Sequence, residues 1–335
     1  MKYFLYLLLA LILILALVFA LGPRPNYPDF DAKIKPTKLS INELNDYVAK
    51  KDANIPKLRP DNESRIIWAD SSQQKTEYSM LFLHGFSASP MAGDPVILDI
   101  AKRYGCNLYL PLLAGHGIDD IESFKDLTPK ALIESAKEAI AIAQKLGDKV
   151  IILSSSTGST LANYLAAHNP DLVEAMLMYS PNLDINDSSS KLLTYPWGLQ
   201  IARKIMGGNH RSFTLNRGGE QYWTTKYRLE GVVCLRSLIN KTMTKETFEK
   251  LKMSIFCAYW YENEDKRDMI ISIDAIHQFF NQISTPTALQ ESVALPSAAA
   301  HCMLSKFQSN DLDIVRMKSY NFIENVLKLT PINKD

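Results

Sequence analysis

The residues whose spacing most clearly suggests chemistry lie in Val150–Ser159, with the sequence VIILSSSTGS. An apolar strand there leads into a helix through a turn of small residues, which is the arrangement of a nucleophile elbow. The elbow needs small residues two positions before and two positions after the nucleophile, because both crowd the neighbouring backbone. Ser156 meets this condition, with Ser154 before it and Gly158 after it. The spacing predicts Ser156 as a nucleophile, and a serine-rich helix N-cap is the alternative.

A second feature is the run Leu81–Phe86 (LFLHGF), which places a His-Gly turn at the end of another apolar strand. Such a turn lets the backbone N–H of Phe86 face the nucleophile, and the N–H of Thr157 lies at the start of the following helix. Two amides fixed in a dry pocket stabilise negative charge on a carbonyl oxygen, and losing one donor typically costs about 3–4 kcal/mol. Phe86 and Thr157 are therefore the predicted oxyanion hole.

These two turns, together with the PLLAGHG stretch of Pro111–Gly117, resemble the α/β-hydrolase family, and most of all its monoacylglycerol lipase and carboxylesterase branch. The resemblance covers roughly residues 60–330, except for most of residues 185–250. It implies a catalytic triad in the chain order serine, acid, histidine. Ser154 departs from the family's G-x-S-x-G pattern, which has glycine at that position.

The resemblance also implies positions for the acid and the base. The acid should follow the predicted strand Ser254–Trp260, just before a short apolar run, and Asp268 fits this best, with Asp265 second. The base should lie in the loop after the last strand, where His301 follows a turn of small residues. The other acidic residues of that loop, Glu262 and Glu264, are interpreted as solvated. The other histidines are assigned to loops, helices or the oxyanion turn: His84, His116, His168, His210 and His277.

These residues predict a serine hydrolase. His301 would take the proton of Ser156, Asp268 would orient the imidazole, and an acyl-enzyme would form and then hydrolyse. The implied substrate is a carboxylic ester, and membrane tethering favours an acylglycerol or another lipid ester. No metal or organic cofactor is implied. Two alternatives stay open: a thioesterase or amidase that uses the same triad, and a membrane-anchored, non-catalytic binding protein with a hydrolase-like fold.

Short apolar runs alternate with helical patterns from about residue 65 onward, and these elements must position the reactive groups. Runs such as SMLFL, VIILS and AMLMY are apolar at consecutive positions, which is typical of parallel strands covered on both faces. The alternation predicts a mostly parallel α/β sheet with helices on both faces, formed by residues 65–184 and 251–335. The predicted strands are Arg65–Ala69, Ser79–Leu83, Asn107–Leu110, Lys149–Ser154, Ala175–Tyr179, Ser254–Trp260 and Glu291–Leu295, and the predicted helices are Met91–Arg103, Lys130–Leu146, Ser159–His168, Ser272–Gln282 and Asp311–Leu329.

Residues 185–250 interrupt this alternation. They show no clear strand and end in a helical run, Lys245–Lys252. We interpret them as a largely helical cap inserted over the sheet. Its aromatic side chains suit either an apolar acyl chain or packing within the cap itself: Trp197, Tyr222, Trp223 and Tyr227.

The N-terminal residues 1–22 contain an uncharged apolar run, Tyr3–Leu21, without proline or glycine. As a helix it would span roughly 29 Å, close to the hydrocarbon thickness of a bilayer. This predicts a single-pass anchor with the body on the extracytoplasmic side, and the alternative is a cleaved signal peptide and a secreted protein. Residues 23–64 are predicted to be a linker with a short helix that starts at the capping box Ser40–Glu43.

Bulk composition excludes several classes of protein. The chain of 335 residues has 37 Lys and Arg against 36 Asp and Glu, so its net charge of +1 gives no support to nucleic-acid binding. Apolar residues make up 47% and charged residues 22%, as in folded globular proteins. The four cysteines, far apart in the sequence, have no zinc-site or redox-motif spacing. Nothing in the sequence indicates an oligomeric state.

Overall fold

Residues 1–215 and 217–332 are described by this computed structural model, so Asn216 of the predicted cap and the last three residues of the predicted core lie outside the described part. The strands are β1 Arg65–Ile67, β2 Thr76–Leu83, β3 Asn107–Leu110, β4 Gly147–Ser155, β5 Ala175–Tyr179, β6 His210–Ser212, β7 Lys226–Arg228, β8 Ser254–Tyr259, β9 Tyr261–Asn263, β10 Lys266–Arg267 and β11 Gln290–Ala294. Within the described residues, seven of them form a sheet in the order β1-β3-β2-β4-β5-β8-β11. β1 is antiparallel to β3 and the other neighbours are parallel, which confirms the predicted mostly parallel sheet.

Helices cover both faces of this sheet, as predicted. Successive side chains of a strand point to opposite faces. On β4, Ile152 therefore packs with α4 and α5, while Ile151 and Leu153 pack with α3 and α10. All three are fully buried, which is why the strand is apolar at consecutive positions. The helices are α1 Lys2–Ala20, α2 Leu44–Ala53, α3 Val96–Arg103, α4 Pro129–Leu146, α5 Thr157–His168, α6 Gly198–Ile205, α7 Leu229–Thr242, α8 Lys245–Phe248, α9 Ile273–Phe280 and α10 Leu312–Asn325.

Two predicted elements differ from the structure. The predicted helix Met91–Arg103 is a short 3-10 turn, Pro90–Gly93, followed by α3, because Pro95 cannot donate the backbone hydrogen bond that a continuous helix needs. The expectation that residues 185–250 contain no strand is wrong, since β6 and β7 form an antiparallel pair there. Each of these strands has only three residues, largely exposed, so no apolar alternation marks them.

The segment predicted as a linker lies against the body over much of its length. Leu44 and Val48 of α2 are buried in the same apolar cluster as α4. Upstream, the Asn169 side chain accepts a hydrogen bond from the Ile34 amide at 3.2 Å and donates one to the Ala32 carbonyl at 2.7 Å. These contacts hold the chain between α1 and the sheet on the surface of the core.

The N-terminal helix α1 stands apart from the core. None of its 19 residues is buried. Of the helices in residues 1–215 and 217–332, it is the one long and apolar enough to cross a membrane, although a signal sequence passes the same test. Its last turn touches the segment after β5, because the indole Nε1 of Trp197 donates to the Val18 carbonyl at 2.9 Å.

Candidate active site

Ser156 occupies the turn between β4 and α5 in a conformation that few residues adopt. Its φ of 51° and ψ of −117° are unfavourable for a residue with a side chain. Two backbone hydrogen bonds hold the turn: the Ser156 amide donates to the Tyr179 carbonyl at 3.1 Å, and its carbonyl accepts from the Asn182 amide at 3.1 Å. The end of β5 therefore holds the strained turn at which the sequence predicts a nucleophile.

The small residues around Ser156 have a direct steric reason. A Cβ on Gly158 would lie 1.9 Å from the Leu83 carbonyl oxygen, a distance that no side chain can occupy. Ser154, which stands where the family has glycine, is fully buried, and its hydroxyl lies 3.0 Å from the Ser159 hydroxyl. The departure at Ser154 is thus accommodated by a hydrogen bond inside the turn.

The His-Gly turn after β2 lies beside Ser156. A Cβ on Gly85 would lie 3.1 Å from Ser156 Cβ. His84 Nε2 accepts from the Leu113 amide at 3.0 Å, so its Nδ1 carries the hydrogen and donates to the Gly85 carbonyl at 2.9 Å. Burial holds the pKa of His84 well below its usual range, so the imidazole is neutral. This neutral ring fixes the carbonyl of the peptide whose amide belongs to Phe86.

The two amides of the predicted oxyanion hole lie next to this turn. Thr157 is the first residue of α5, where an amide has no intrahelical acceptor. In residues 1–215 and 217–332, the Phe86 amide is paired with no carbonyl or side-chain acceptor. Both residues line the same cavity as Ser156. The two N–H groups are therefore available to an oxygen bound in that cavity.

Asp268 and His301 are in direct contact, with Asp268 Oδ2 at 2.6 Å from His301 Nδ1. Asp268 is fully buried, and its other oxygen accepts from the Ile270 amide at 2.9 Å. Burial acts to raise the pKa of Asp268, but the His301 imidazole and the backbone amides outweigh it, so the pKa lies below its usual value. Asp265, the second candidate acid, lies exposed at the tip of the β9–β10 hairpin.

A cavity of about 840 Å³ joins these groups, and Ser156, Thr157, Phe86 and His301 all line it. Since His301 Nδ1 faces Asp268, its Nε2 is the nitrogen left for a proton transfer within the cavity. Much of the remaining wall is apolar and comes from residues 185–250: Ile185, Leu192, Leu193, Ile201, Ile205, Met206, Phe213, Leu215, Trp223, Tyr227, Leu229, Val232 and Leu235.

Two of the four aromatic residues considered for contact with an acyl chain do not line the cavity. Trp223 and Tyr227 line the cavity, whereas Trp197 lies against α1 and Tyr222 donates through its hydroxyl to Asp61 Oδ2 at 2.7 Å. Sequence reasoning missed Asn182, a buried cavity residue whose Oδ1 has no partner among the described residues. No motif marks this residue. Nor do the described residues contain a group of three or more His, Cys, Asp or Glu side chains that could hold a metal ion.

Comparison by sequence gives a partial match. No family model matches the chain. A thermostable monoacylglycerol lipase from Bacillus sp. (strain H-257) is 31% identical over 93 residues, which are 28% of this chain and 36% of the lipase. The chain thus spans little more than a third of that relative's length in the matched stretch.

Comparison by structure covers most of the chain. A structure described as LipS and LipT, two metagenome-derived lipolytic enzymes, matches with a TM-score of 0.64 and 15% identity over 80% of this chain and 99% of that one. Alpha/beta hydrolase domain-containing protein 10 from mouse matches with a TM-score of 0.54 and 12% identity over 80% and 94%. The monoacylglycerol lipase of Paleococcus ferrophilus has a TM-score of 0.51 and 13% identity over 69% and 87%. The predicted α/β-hydrolase fold, and the resemblance to its lipases and esterases, are confirmed.

Proposed function

We propose that this chain, an α/β-hydrolase by its fold, is a serine hydrolase that cleaves carboxylic esters. One observation carries the proposal: the strained turn of Ser156 and the imidazole of His301, which is paired with the buried Asp268 at 2.6 Å, line one cavity. A serine-rich N-cap would need neither a left-handed backbone at the serine nor a buried carboxylate-imidazole pair beside it.

The reaction follows from the roles of these three side chains. Ser156 Oγ attacks the ester carbonyl carbon while His301 Nε2 takes the hydroxyl proton. The C–O bond to the alcohol then breaks, and His301 returns the proton to the leaving oxygen. Water attacks the acyl-enzyme by the same route, which releases the carboxylic acid and restores Ser156. Asp268 keeps the imidazole in the tautomer with hydrogen on Nδ1 and stabilises the imidazolium.

The developing oxyanion is the charge that the site must stabilise. The amides of Phe86 and Thr157 are the donors, and Thr157 adds the positive end of the α5 dipole. His84 acts through the backbone, because its Nδ1–H holds the Gly85 carbonyl and so fixes the peptide plane that carries the Phe86 amide.

The apolar wall of the cavity indicates the substrate class. A volume of about 840 Å³ lies in the range of ligand pockets that enclose a drug-sized molecule. Side chains such as Ile201, Phe213 and Leu235 suit a hydrocarbon chain, so we propose an acylglycerol or another lipid ester as the substrate. We also propose that α1 is retained as a single-pass anchor, with the body on the extracytoplasmic side, and that residues 185–250 act as the cap over the acyl site.

The test replaces the nucleophile and a matched serine of the same cavity. We expect Ser156→Ala to lower hydrolysis of p-nitrophenyl esters at least roughly 10³-fold and to abolish labelling by a fluorophosphonate probe. Ser189→Ala is the control, because Ser189 also lines the cavity but contributes its backbone amide to Asp187. Labelling that persists in Ser156→Ala, or is lost equally in Ser189→Ala, would remove Ser156 from its role.

A substrate panel separates esters from the other acyl groups that a triad can cleave. Matched oxygen esters, thioesters and amides of one acyl chain should be compared by kcat/KM in the same membrane preparation. Highest kcat/KM for the oxygen ester supports the proposal, and highest kcat/KM for the thioester or the amide contradicts it. Failure of the chain to react with any fluorophosphonate would instead favour the alternative of a non-catalytic binding protein.

A further inference from the structure

The end of α1 and the inserted residues form a joint. The indole Nε1 of Trp197 donates to the Val18 carbonyl, and the Trp197 amide donates to the Pro23 carbonyl, each at 2.9 Å. Gly22 lies so close to the indole that a Cβ there would be 2.1 Å from Nε1. The last carbonyls of a helix need partners from outside it, and Trp197 supplies one. The position of α1 is therefore linked to the segment that leads into α6.

α6 begins directly after Trp197 and packs poorly against the body. Of its eight residues only Gly198 is buried. Ile201 and Ile205, four residues apart on one helix face, are 48% and 77% exposed, and Met206 after them is 49% exposed. Apolar side chains on one face of a surface helix normally face a core, so this face lacks the partner that its composition requires.

The same exposed side chains form part of the cavity wall. Ile201, Ile205 and Met206 line it, and three more cavity residues are at least half exposed: Leu192, Met269 and Ile270. We call these six residues the apolar rim. Exposed apolar side chains grouped around a ligand cavity mark a place where another apolar phase makes contact.

We propose that the apolar rim rests on the bilayer that holds α1, so that the cavity opens into lipid rather than into water. The bilayer is the proposed partner of the rim because α1 contacts the segment that leads into α6. The last turn of a spanning helix lies at the membrane surface, where tryptophan is enriched, and Trp197 bonds to that turn. α6 extends only about 12 Å from there, and an amphipathic helix at an interface buries its apolar face by about 5–10 Å. The rim residues on α6 and at its end, Ile201, Ile205 and Met206, are within that reach.

This inference goes beyond ester cleavage and does not depend on it. If the hydrolytic proposal also holds, an acyl chain could move from the membrane into the cavity without crossing water. The rim would then remove the cost of transferring the chain into water, which grows with each CH₂ group.

The test measures where one rim residue lies in the membrane-bound full-length chain. Ile205→Cys is labelled with the polarity-sensitive fluorophore NBD in phosphatidylcholine vesicles. Met317→Cys is the control. Met317 is an exposed residue of α10, which packs on the face of the sheet opposite to α4 and α5. The four native cysteines are buried or partly buried, and the signal of the labelled unsubstituted chain is subtracted.

We expect NBD at position 205 to emit at shorter wavelength than at position 317. Quenching by bromine-substituted lipid should be several-fold stronger at position 205, and quenching by aqueous iodide several-fold weaker. Equal iodide quenching at the two positions would overturn the proposal. A shorter wavelength without lipid quenching would also overturn it, since a second copy or another protein would then cover the rim. Because no step uses hydrolysis, an inactive chain gives the same readout.

A second variant tests the joint. Trp197→Ala, made in the Ile205→Cys chain, leaves α1 in the membrane but removes the indole donor. We expect lipid quenching at position 205 to fall towards the value at position 317, while the share of protein in the vesicle fraction stays the same. Unchanged quenching would show that Trp197 does not orient the cavity.

Discussion

The carboxyl edge of the sheet and the α6 region both contribute walls to one cavity, and they are built in different ways. At the sheet edge, Ser156, Gly158 and Asp268 are buried, and backbone contacts fix each of them. In α6 only Gly198 is buried, and the side chains that line the cavity are half exposed. Groups proposed for bond making thus lie at buried or nearly buried positions, and groups proposed for substrate contact lie on side chains that are about half exposed or more.

The largest effect is expected from the acid of the proposed triad. Asp268→Asn should lower kcat for ester hydrolysis about 10⁴-fold, because an amide cannot hold the imidazole in the required tautomer. Asp265→Asn, three positions away at the exposed hairpin tip, should leave kcat unchanged. Steady-state kinetics of both variants tests this assignment. A large loss of kcat in Asp265→Asn would contradict the assignment of the acid to Asp268.

The second effect concerns backbone packing at the elbow. Gly158→Ala should lower the free energy of unfolding by about 3–5 kcal/mol, because its Cβ would lie 1.9 Å from a backbone oxygen. Gly208→Ala is the control in the inserted residues, since a Cβ there meets no atom within 4 Å, and its change should stay within about 0.5 kcal/mol. Denaturant unfolding measures both. Equal losses of unfolding free energy in the two variants would contradict the proposed difference in packing between the elbow and the inserted residues.

The third effect depends on pH. Burial lowers the pKa of His116 to about 4, so the unfolded chain binds more protons than the folded chain at any pH between that value and the ordinary histidine pKa. Stability is therefore complete above about pH 6.5 and falls as the pH is lowered to 4, by about 3 kcal/mol for this residue. The lowered pKa of Asp268 adds a loss at still lower pH, below the usual aspartate pKa.

The measurement is the free energy of unfolding as a function of pH. His116→Gln should show a shallower decline than the unsubstituted chain between pH 6.5 and pH 4, whatever its stability at neutral pH. His84, whose pKa is also lowered by burial, keeps part of the slope in this variant. Superimposable slopes would mean that His116 is protonated in the folded chain.

The smallest effect is expected in α6. Ile201→Ser should change the free energy of unfolding by no more than about 0.5 kcal/mol, because Ile201 is half exposed. The same substitution at the fully buried Ile152 of β4 should cost about 3 kcal/mol or more. Thermal unfolding of the pair gives the comparison directly. A cost at Ile201 near that at Ile152 would show that α6 belongs to the core.

Much of this architecture could be predicted from the sequence because local constraints determine it. A strand covered on both faces must be apolar at each position, so β4 and β5 stand out as continuous runs. A nucleophile elbow imposes size limits at fixed distances along the chain, and among the neighbouring serines Ser156 is the one that meets them. The structure places Asp268, the better of the two candidate acids, in hydrogen-bond contact with His301.

The remaining features depend on contacts between residues distant in sequence. The role of Trp197 is set by Val18, 179 positions earlier, and the contact of the predicted linker with the core is set by Asn169. β6 and β7 are too short and too exposed to show a period, and they pair only because the chain between them folds back. No local pattern in the sequence reports such contacts.

If α1 is retained as the proposed anchor, the attachment of Ala32 and Ile34 to Asn169 limits how far the body can move from the membrane. Even without the Trp197 contact, only residues 21–31 separate α1 from this attachment, and fully extended they reach at most roughly 36–40 Å. The tether between α1 and the body is therefore short. A body tethered in this way would reach only molecules embedded in, or just above, the neighbouring bilayer, and two-dimensional diffusion would then govern its access to substrate.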